Sequence, residues 1–205
     1  METNTLWRNE QPLVLASQST TRLSLLVHAG VPVETVSVDV DERALQVDAD
    51  PNMEPDQIAL MLARAKALAG AQKAPGRIVL GADQTLALGS QVFHKPRSPE
   101  LAREQLQRLS GSTHALHSAA AVVQNGEVVF ETVSSAYLTM RSLSDDMLDT
   151  YLAAVGRRVT ESVGGYQLES VGVHLFTRVQ GDHFTILGLP LLQILPHFRE
   201  QGLLP

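Results

Sequence analysis

Apolar positions change their spacing several times along this chain, and each change marks an element. Pro12-Leu13-Val14-Leu15-Ala16 is an unbroken apolar run and predicts a buried strand. Ser19 then sits where an N-cap belongs and Gly30 where a helix would end, which predicts a helix over residues 20–29. Val33 to Val40 alternates and predicts a second strand, followed by an acidic loop holding Asp39, Asp41 and Glu42. Residues 48–55 form a polar turn region. Residues 57–69 repeat with helical period, with Ile58, Leu62, Ala65, Leu68 and Ala69 on one stripe. Ser98-Pro99-Glu100 opens another helix that stops at Gly111. A hairpin is predicted from Thr113 to Arg141, turning at Asn125-Gly126 with type I′ geometry. Ser144 caps a helix ending near Gly156. Strands are predicted over 171–178 and 183–186. A last helix starts at Leu189-Pro190, and Pro196 should kink or shorten it. Helices and strands alternate, with two hairpins, so the class is α/β with a mixed sheet and flanking helices.

The other hairpin, Arg77 to Pro96, carries candidate chemistry. Ile78-Val79-Leu80 suits a buried strand, and Asp83 follows directly. A carboxylate there is costly without a cation or a metal as partner. Gly89-Ser90 suits a type II′ turn, and the return arm ends in Lys95-Pro96. Asp83 and Lys95 are thus expected at one end of the hairpin, facing one pocket. At this level a structural ion pair and an active-site pair read the same. The junction Ser17-Gln18-Ser19-Thr20-Thr21-Arg22 is the second candidate. A helix N-terminus favours anions, Ser17, Ser19 and Thr20 add hydroxyl donors, and Arg22 in the first turn makes most sense if it reaches a phosphate. Capping alone already explains Ser19. Lys66, among small residues in Leu62-Ala63-Arg64-Ala65-Lys66-Ala67, is the third, although a solvated helix face is the simpler reading of that segment alone.

Composition narrows the classes. The chain has 205 residues, 44% hydrophobic and 19% charged, enough for one large domain or two intimate lobes. With no cysteine it has no disulfide, no thiolate nucleophile and no cysteine-bound zinc. The net charge of −6 argues against nucleic acid as a partner. Residues 1–12 are polar, with no signal-peptide core, and no apolar run is long enough to span a bilayer, so a cytoplasmic location away from membranes is expected. His114 and His117 fall on opposite faces of a strand and are expected to be solvated or hydrogen-bonded rather than metal-bound. No P-loop and no dinucleotide fingerprint is present. A nucleotide enzyme here would combine oxygen ligands such as Glu42 and Asp83 with the cations Arg22, Lys66 and Lys95.

Taken in order, the segments resemble the Maf family of nucleoside triphosphate pyrophosphatases. Leu15 to Arg22 is similar to L-A-S-x-S-P-R-R, Asp39-Val40-Asp41-Glu42 to D-x-D-E, and Leu62 to Ala67 to L-A-x-x-K-A. Gly81-Ala82-Asp83 matches G-[AS]-D, Lys95-Pro96 the end of G-K-P, Leu109 to His114 L-S-G-x-x-H, and Gly188-Leu189-Pro190 a final G-L-P. The resemblance runs from Pro12 to the C-terminus. It implies an N-terminal extension over 1–11, a single Maf-like domain over 12–205, and a two-lobed fold with a central cleft.

The resemblance also implies hydrolysis of a nucleoside triphosphate to the monophosphate and pyrophosphate. Asp83 would accept the proton or hold the metal, and Glu42 would assist at the metal. Lys66 and Lys95 would neutralise the triphosphate, while Ser17 and Arg22 hold phosphate oxygens. A divalent cation, Mg2+ or Mn2+, is implied at Glu42 and Asp83, and a homodimer is a family expectation. Three departures stand out. Thr20-Thr21 replaces Pro-Arg, His94 replaces the Gly before Lys95, and Ser162 and Glu169 replace a Lys and a Gln. Gln84 and Glu169 resemble the branch preferring 7-methylguanosine triphosphate, where the branch for dTTP and UTP has Thr and Gln. Acceptors suit guanine's two donors. The third specificity position, Thr21, matches neither branch. A dTTP or UTP pyrophosphatase is therefore the alternative. With two cations lost at Thr21 and Ser162, so is a weakly catalytic nucleotide-binding regulator of cell division.

Overall fold

The computed structural model describes residues 5–50 and 52–205. Strand β1 (Leu13–Ala16) leads into helix α1 (Thr20–His28), and β2 (Val33–Thr35) follows. Ser19 caps α1 by accepting from the backbone N–H of Arg22, and Gly30 takes the left-handed conformation just past its end. The second strand is far shorter than its alternating pattern. Among the described residues its ladder with β1 stops at the pair Leu15 and Thr35. The acidic segment is not a loop. Asp41 caps a short helix, α2 (Glu42–Asp48), with Glu42 as its first residue. The expected polar turn over 48–55 includes Pro51, which lies outside the described residues.

Helix α3 (Pro55–Lys73) is longer than its stripe, and its buried face is rotated from the one expected. Ala59, Leu62, Ala63, Ala67 and Gly70 face the protein, while Ile58, Ala65 and Leu68 are only partly covered. The reason is close packing. An added Cβ on Gly81 of the next strand would collide with the Ala63 carbonyl oxygen and the Ala67 nitrogen, and would lie 2.8 Å from Ala67 Cα. Small residues face inward because backbone meets backbone there.

Strand β3 (Val79–Leu88) turns at Gly89-Ser90 into β4 (Gln91–Phe93). Gly89 has φ 61° and Ser90 has a negative φ, as a type II′ turn requires. Helix α4 (Pro99–Leu109) is capped by Ser98. The long hairpin β5 (Thr113–Gln124) and β6 (Glu127–Met140) turns at Asn125 and Gly126, both with positive φ, as type I′ demands. Helix α5 (Asp145–Val155) is capped by Ser144.

Three expectations near the C-terminus are corrected. Only the end of the 171–178 segment is extended: Val171–Leu175 is a 3-10 turn, and β7 is Phe176–Gln180. Residues His183–Ile186 form a helical turn, α6, because Asp182 accepts from the Thr185 backbone N–H and caps it. Helix α7 (Leu191–Glu200) runs through Pro196, so of the expected kink or shortening the shortening does not occur.

The seven strands among the described residues form one mixed sheet in the order β2-β1-β3-β5-β6-β7, with β4 on the same edge of β3 as β1. Contacts of β1 with β2 and β3 are parallel and all others antiparallel. Helix α3 covers one face. The other face carries two separate apolar cores. One gathers β1, α1, α7 and Trp7, whose ring meets Phe198 edge-on at 5.3 Å. The other gathers Phe93, α4, α5 and Tyr166. On β3 itself, Leu80 and Ala82 belong to the first core and Leu86 to the second. Between them the strand carries Gln84.

That topology creates an opening. Strand β1 pairs with β3 only at residues 79–81, and β4 pairs only at 86–88. Residues 82–85 therefore have an open edge in mid-sheet. Side chains from both faces reach that gap, so Asp83 and Gln84 share one cleft although they point to opposite faces. Asp83 lies in the middle of β3 rather than at a strand end, which corrects the simple hairpin expectation.

Candidate active site

The cleft encloses about 920 Å³, which is generous for a small-molecule site. Its polar end is built where β1 ends and α1 begins. Ser17 is nearly buried, and its Oγ accepts from the Ser19 backbone N–H at 3.2 Å. Arg22 is a clamp across the junction. Its Nε donates to the Gly188 carbonyl at 2.7 Å, and its Nη1 to the Ala82 carbonyl at 2.9 Å and to Ser17 Oγ at 3.2 Å. It thus occupies the open edge of β3 at Ala82 and joins three segments far apart in sequence. Burial pulls its pKa down, while the charges of Asp83 and Glu42 push it back up. Its Nη2 makes no hydrogen bond among the described residues, leaving one donor group for the cleft.

The centre is an ionic chain. Lys66 Nζ lies 2.5 Å from Asp83 Oδ1 and 2.7 Å from Glu42 Oε1. The Asp83 and Lys66 side chains are only 11% and 15% exposed, whereas Glu42 is 46% exposed. The inner pair is therefore shielded and the outer one is screened by water. Glu42 reaches Lys66 only because α2 starts at that residue, and Lys66 reaches Asp83 only because Ala63 and Ala67 let α3 sit directly on Gly81. Sequence distances of 24 and 17 residues hide this contact. Lys95, on the segment after β4, is exposed in the cleft and makes no ion pair among the described residues.

Gln84 is held rigidly. Its Nε2 faces Ser118 Oγ at 3.0 Å and the Thr185 and Ile186 carbonyls at 3.1 Å each. Ser118 Oγ in turn donates to the Thr185 carbonyl at 2.7 Å. The amide nitrogen must face those carbonyls, so Oε1 is the free end, an acceptor beside Gly188 and Arg22. Thr21 lines the cleft from the first turn of α1, partly buried. Glu169 also lines the cleft, exposed and without a protein partner among the described residues. Ser162 donates to the Tyr166 carbonyl at 2.6 Å and so closes its own loop.

That loop, residues 161–170, is anchored from below. His114 is 1% exposed, and its Nε2 meets Tyr166 Oη at 2.6 Å. Its Nδ1 is buried with no partner among the described residues. Burial lowers its pKa to about 4, so the ring is neutral at physiological pH. His117, on the other face, pairs with Ser135 Oγ at 2.7 Å.

Three cations in the cleft escaped sequence reasoning: Arg43 beside Glu42, Arg97 after Lys95-Pro96, and Arg108 on α4. Arg108 had a signal. Counting from the Ser98 cap, Leu101, Glu104, Gln105 and Arg108 share one helical flank, and that flank lines the cleft.

No group of three or more His, Asp or Glu able to hold a metal exists among the described residues. The donors present are Glu42 and Asp83, each with one oxygen on Lys66. Mg2+ is commonly held by one or two carboxylates together with substrate phosphates and water, and this pair fits that manner of binding. No helix among the described residues is long and apolar enough to cross a membrane.

A family model described as Maf-like protein matches residues 12–201. A nucleoside triphosphate pyrophosphatase of Rhodopseudomonas palustris strain BisB18 is 52% identical over 200 residues, covering 98% of each chain. A 7-methyl-GTP pyrophosphatase of Mesorhizobium japonicum is 47% identical over 193 residues, covering 94% of this chain and 97% of its own. Among solved structures, a HAM1 protein from Coxiella burnetii aligns with TM-score 0.42 at 16% identity, over 63% of this chain and 72% of that one. The family match spans nearly the whole chain and agrees with the relatives at about half identity, so the chain belongs to the Maf-like protein family.

Proposed function

We propose that the protein hydrolyses a nucleoside triphosphate to the monophosphate and pyrophosphate, with the reacting phosphate held at the open edge of β3. The observation that carries this reading is the chain Glu42–Lys66–Asp83, set between the Arg22 clamp and Lys95 in one cleft. The names of the relatives support the same reaction.

The geometry supports a role for each residue. Asp83 Oδ1 is committed to Lys66, which leaves Oδ2 to take a proton from the attacking water. The water oxygen bonds to the α-phosphorus, the bond from that phosphorus to the bridging oxygen breaks, and the electron pair leaves on pyrophosphate. Lys66 orients Asp83 and faces the phosphates from inside. Lys95 and Arg22 Nη2 meet the charge from the mouth and the α1 N-terminus, while Ser17, buried and outside the cleft lining, holds Arg22 Nη1 from behind. Glu42 and Asp83 would hold a divalent cation together with phosphate oxygens, and the cation would offset charge on the leaving group. Gln84 Oε1 and Glu169 offer acceptors to the base, which suits a guanine edge. The exposed, unpartnered Glu169 carboxylate also favours a cationic ring, so 7-methyl-GTP is the second reading.

The test is pyrophosphate release from a triphosphate panel under multiple turnover. Asp83→Asn should lower kcat by about 10²–10⁴, the range for losing a general base. Full turnover in that variant would remove Asp83 from the role. Binding without multiple-turnover release by the unaltered protein would instead favour a regulator.

A further inference from the structure

Arg108 lines the cleft but has no part in the proposed hydrolysis. Its guanidinium carbon lies over the Phe93 ring, 4.9 Å from the centroid. Both residues line the cleft, and Phe93 is buried beneath. Arg108 makes no hydrogen bond and no ion pair among the described residues. A long cationic side chain on an exposed helix flank would ordinarily extend into water. Here its guanidinium sits over an aromatic ring at the cleft wall.

The surroundings are apolar. Phe93, Leu116 and Ile186 belong to the second core, with Val163 and Leu168 packed against it, and all five line the cleft. Phe93 pairs with Leu86, which is three residues along β3 from Asp83. That sets the register level of Phe93, on whose ring Arg108 rests, about 10 Å along the strand from Asp83. The separation leaves room for a sugar between the reacting phosphate and a base. Resting on the proposed pyrophosphatase reading, we infer that Arg108, backed by Phe93, is the platform on which the nucleobase stacks. A planar guanidinium stacks on aromatic faces, and nucleobases stack on such planes. A neutral base gains from this contact. A 7-methylated guanine carries its own positive charge and gains less. Arg108 therefore opposes Glu169 in the choice between GTP and 7-methyl-GTP.

The experiment compares the unaltered protein with Arg108→Met and Arg108→Lys. It measures kcat and KM for GTP, UTP and 7-methyl-GTP, and inhibition by inorganic tripolyphosphate, which has no base. Stacking predicts that Arg108→Met raises KM for GTP by about five- to tenfold with kcat little changed, from the worth of one base stacked on a flat partner. Arg108→Lys keeps the charge but not the plane and should not rescue. Tripolyphosphate inhibition should stay constant, and 7-methyl-GTP should lose less than GTP. Weakened tripolyphosphate inhibition, full rescue by lysine, or an unchanged KM for GTP would each overturn the platform. If the unaltered protein hydrolyses the triphosphates and only Arg108 proves silent, the stacking fails alone. If it neither binds nor hydrolyses any of them, the pyrophosphatase reading falls and the stacking with it.

Discussion

His114 should make the fold acid-sensitive by a readable amount. The ring is buried at 1% exposure, with Tyr166 Oη on one nitrogen and, among the described residues, nothing on the other. Charging it would place a second N–H, and a full charge, where no acceptor exists. Burial accordingly lowers its pKa from 6.5 to about 4. The folded state then binds fewer protons than the unfolded state between those values. Stability from this group is complete above about pH 6.5 and is lost as pH falls toward about 4. With these two values, the loss between neutral pH and about pH 5 is ~2 kcal/mol. Guanidinium unfolding of the unaltered protein and of His114→Phe, each at about pH 7.5 and about pH 5, isolates the term. The variant also strips Tyr166 Oη of its partner, which costs about 1–3 kcal/mol, but by the same amount at both pH values. The gap between the two proteins should therefore shrink by ~2 kcal/mol on acidification. Other histidines titrate in both proteins and cancel. A gap that is the same at both pH values would refute the reasoning.

Two further outcomes test the architecture and the base reading. Gly81→Ala should destabilise by about 3 kcal/mol, at the upper end for an overpacked core, because the added methyl meets α3 backbone rather than a movable side chain; thermal melts read this, and a neutral effect would mean that α3 slides easily. Glu169→Gln should move preference toward UTP and dTTP by exchanging an acceptor-only group for an amide, and an unshifted panel would separate Glu169 from base selection.

Much of the site was legible because its residues sit at local signals. Ser19 and Arg22 stand at a capped helix start, Asp83 follows an apolar run that makes a lone carboxylate costly, and Lys66 lies among alanines. All of these line the cleft or pair within it. What escaped has physical reasons. Asp182 turned 183–186 into a helix through one cap, a local bond that outweighed an apolar pattern. The buried face of α3 was misjudged because large apolar residues draw the eye, while the true contact needs the smallest ones. Arg43, Arg97 and Arg108 look like ordinary surface cations until the cleft is seen to run past them.

By itself the sequence determined most of the element types, the two hairpin turns, the mixed sheet and the ordered motifs of the family, since these follow from spacing, caps and turn residues; it did not determine 42–48, 171–175 and 183–186, which are helical. The tertiary structure decided how they act together. The gap between β1 and β4 opens the edge of β3 in mid-sheet, so neighbouring residues on opposite faces serve one cleft. The Gly81 contact brings Lys66 onto Asp83, and the start of α2 brings Glu42 onto Lys66. Those encounters depend on distances of a few ångström between segments far apart in the chain, and no local pattern encodes them.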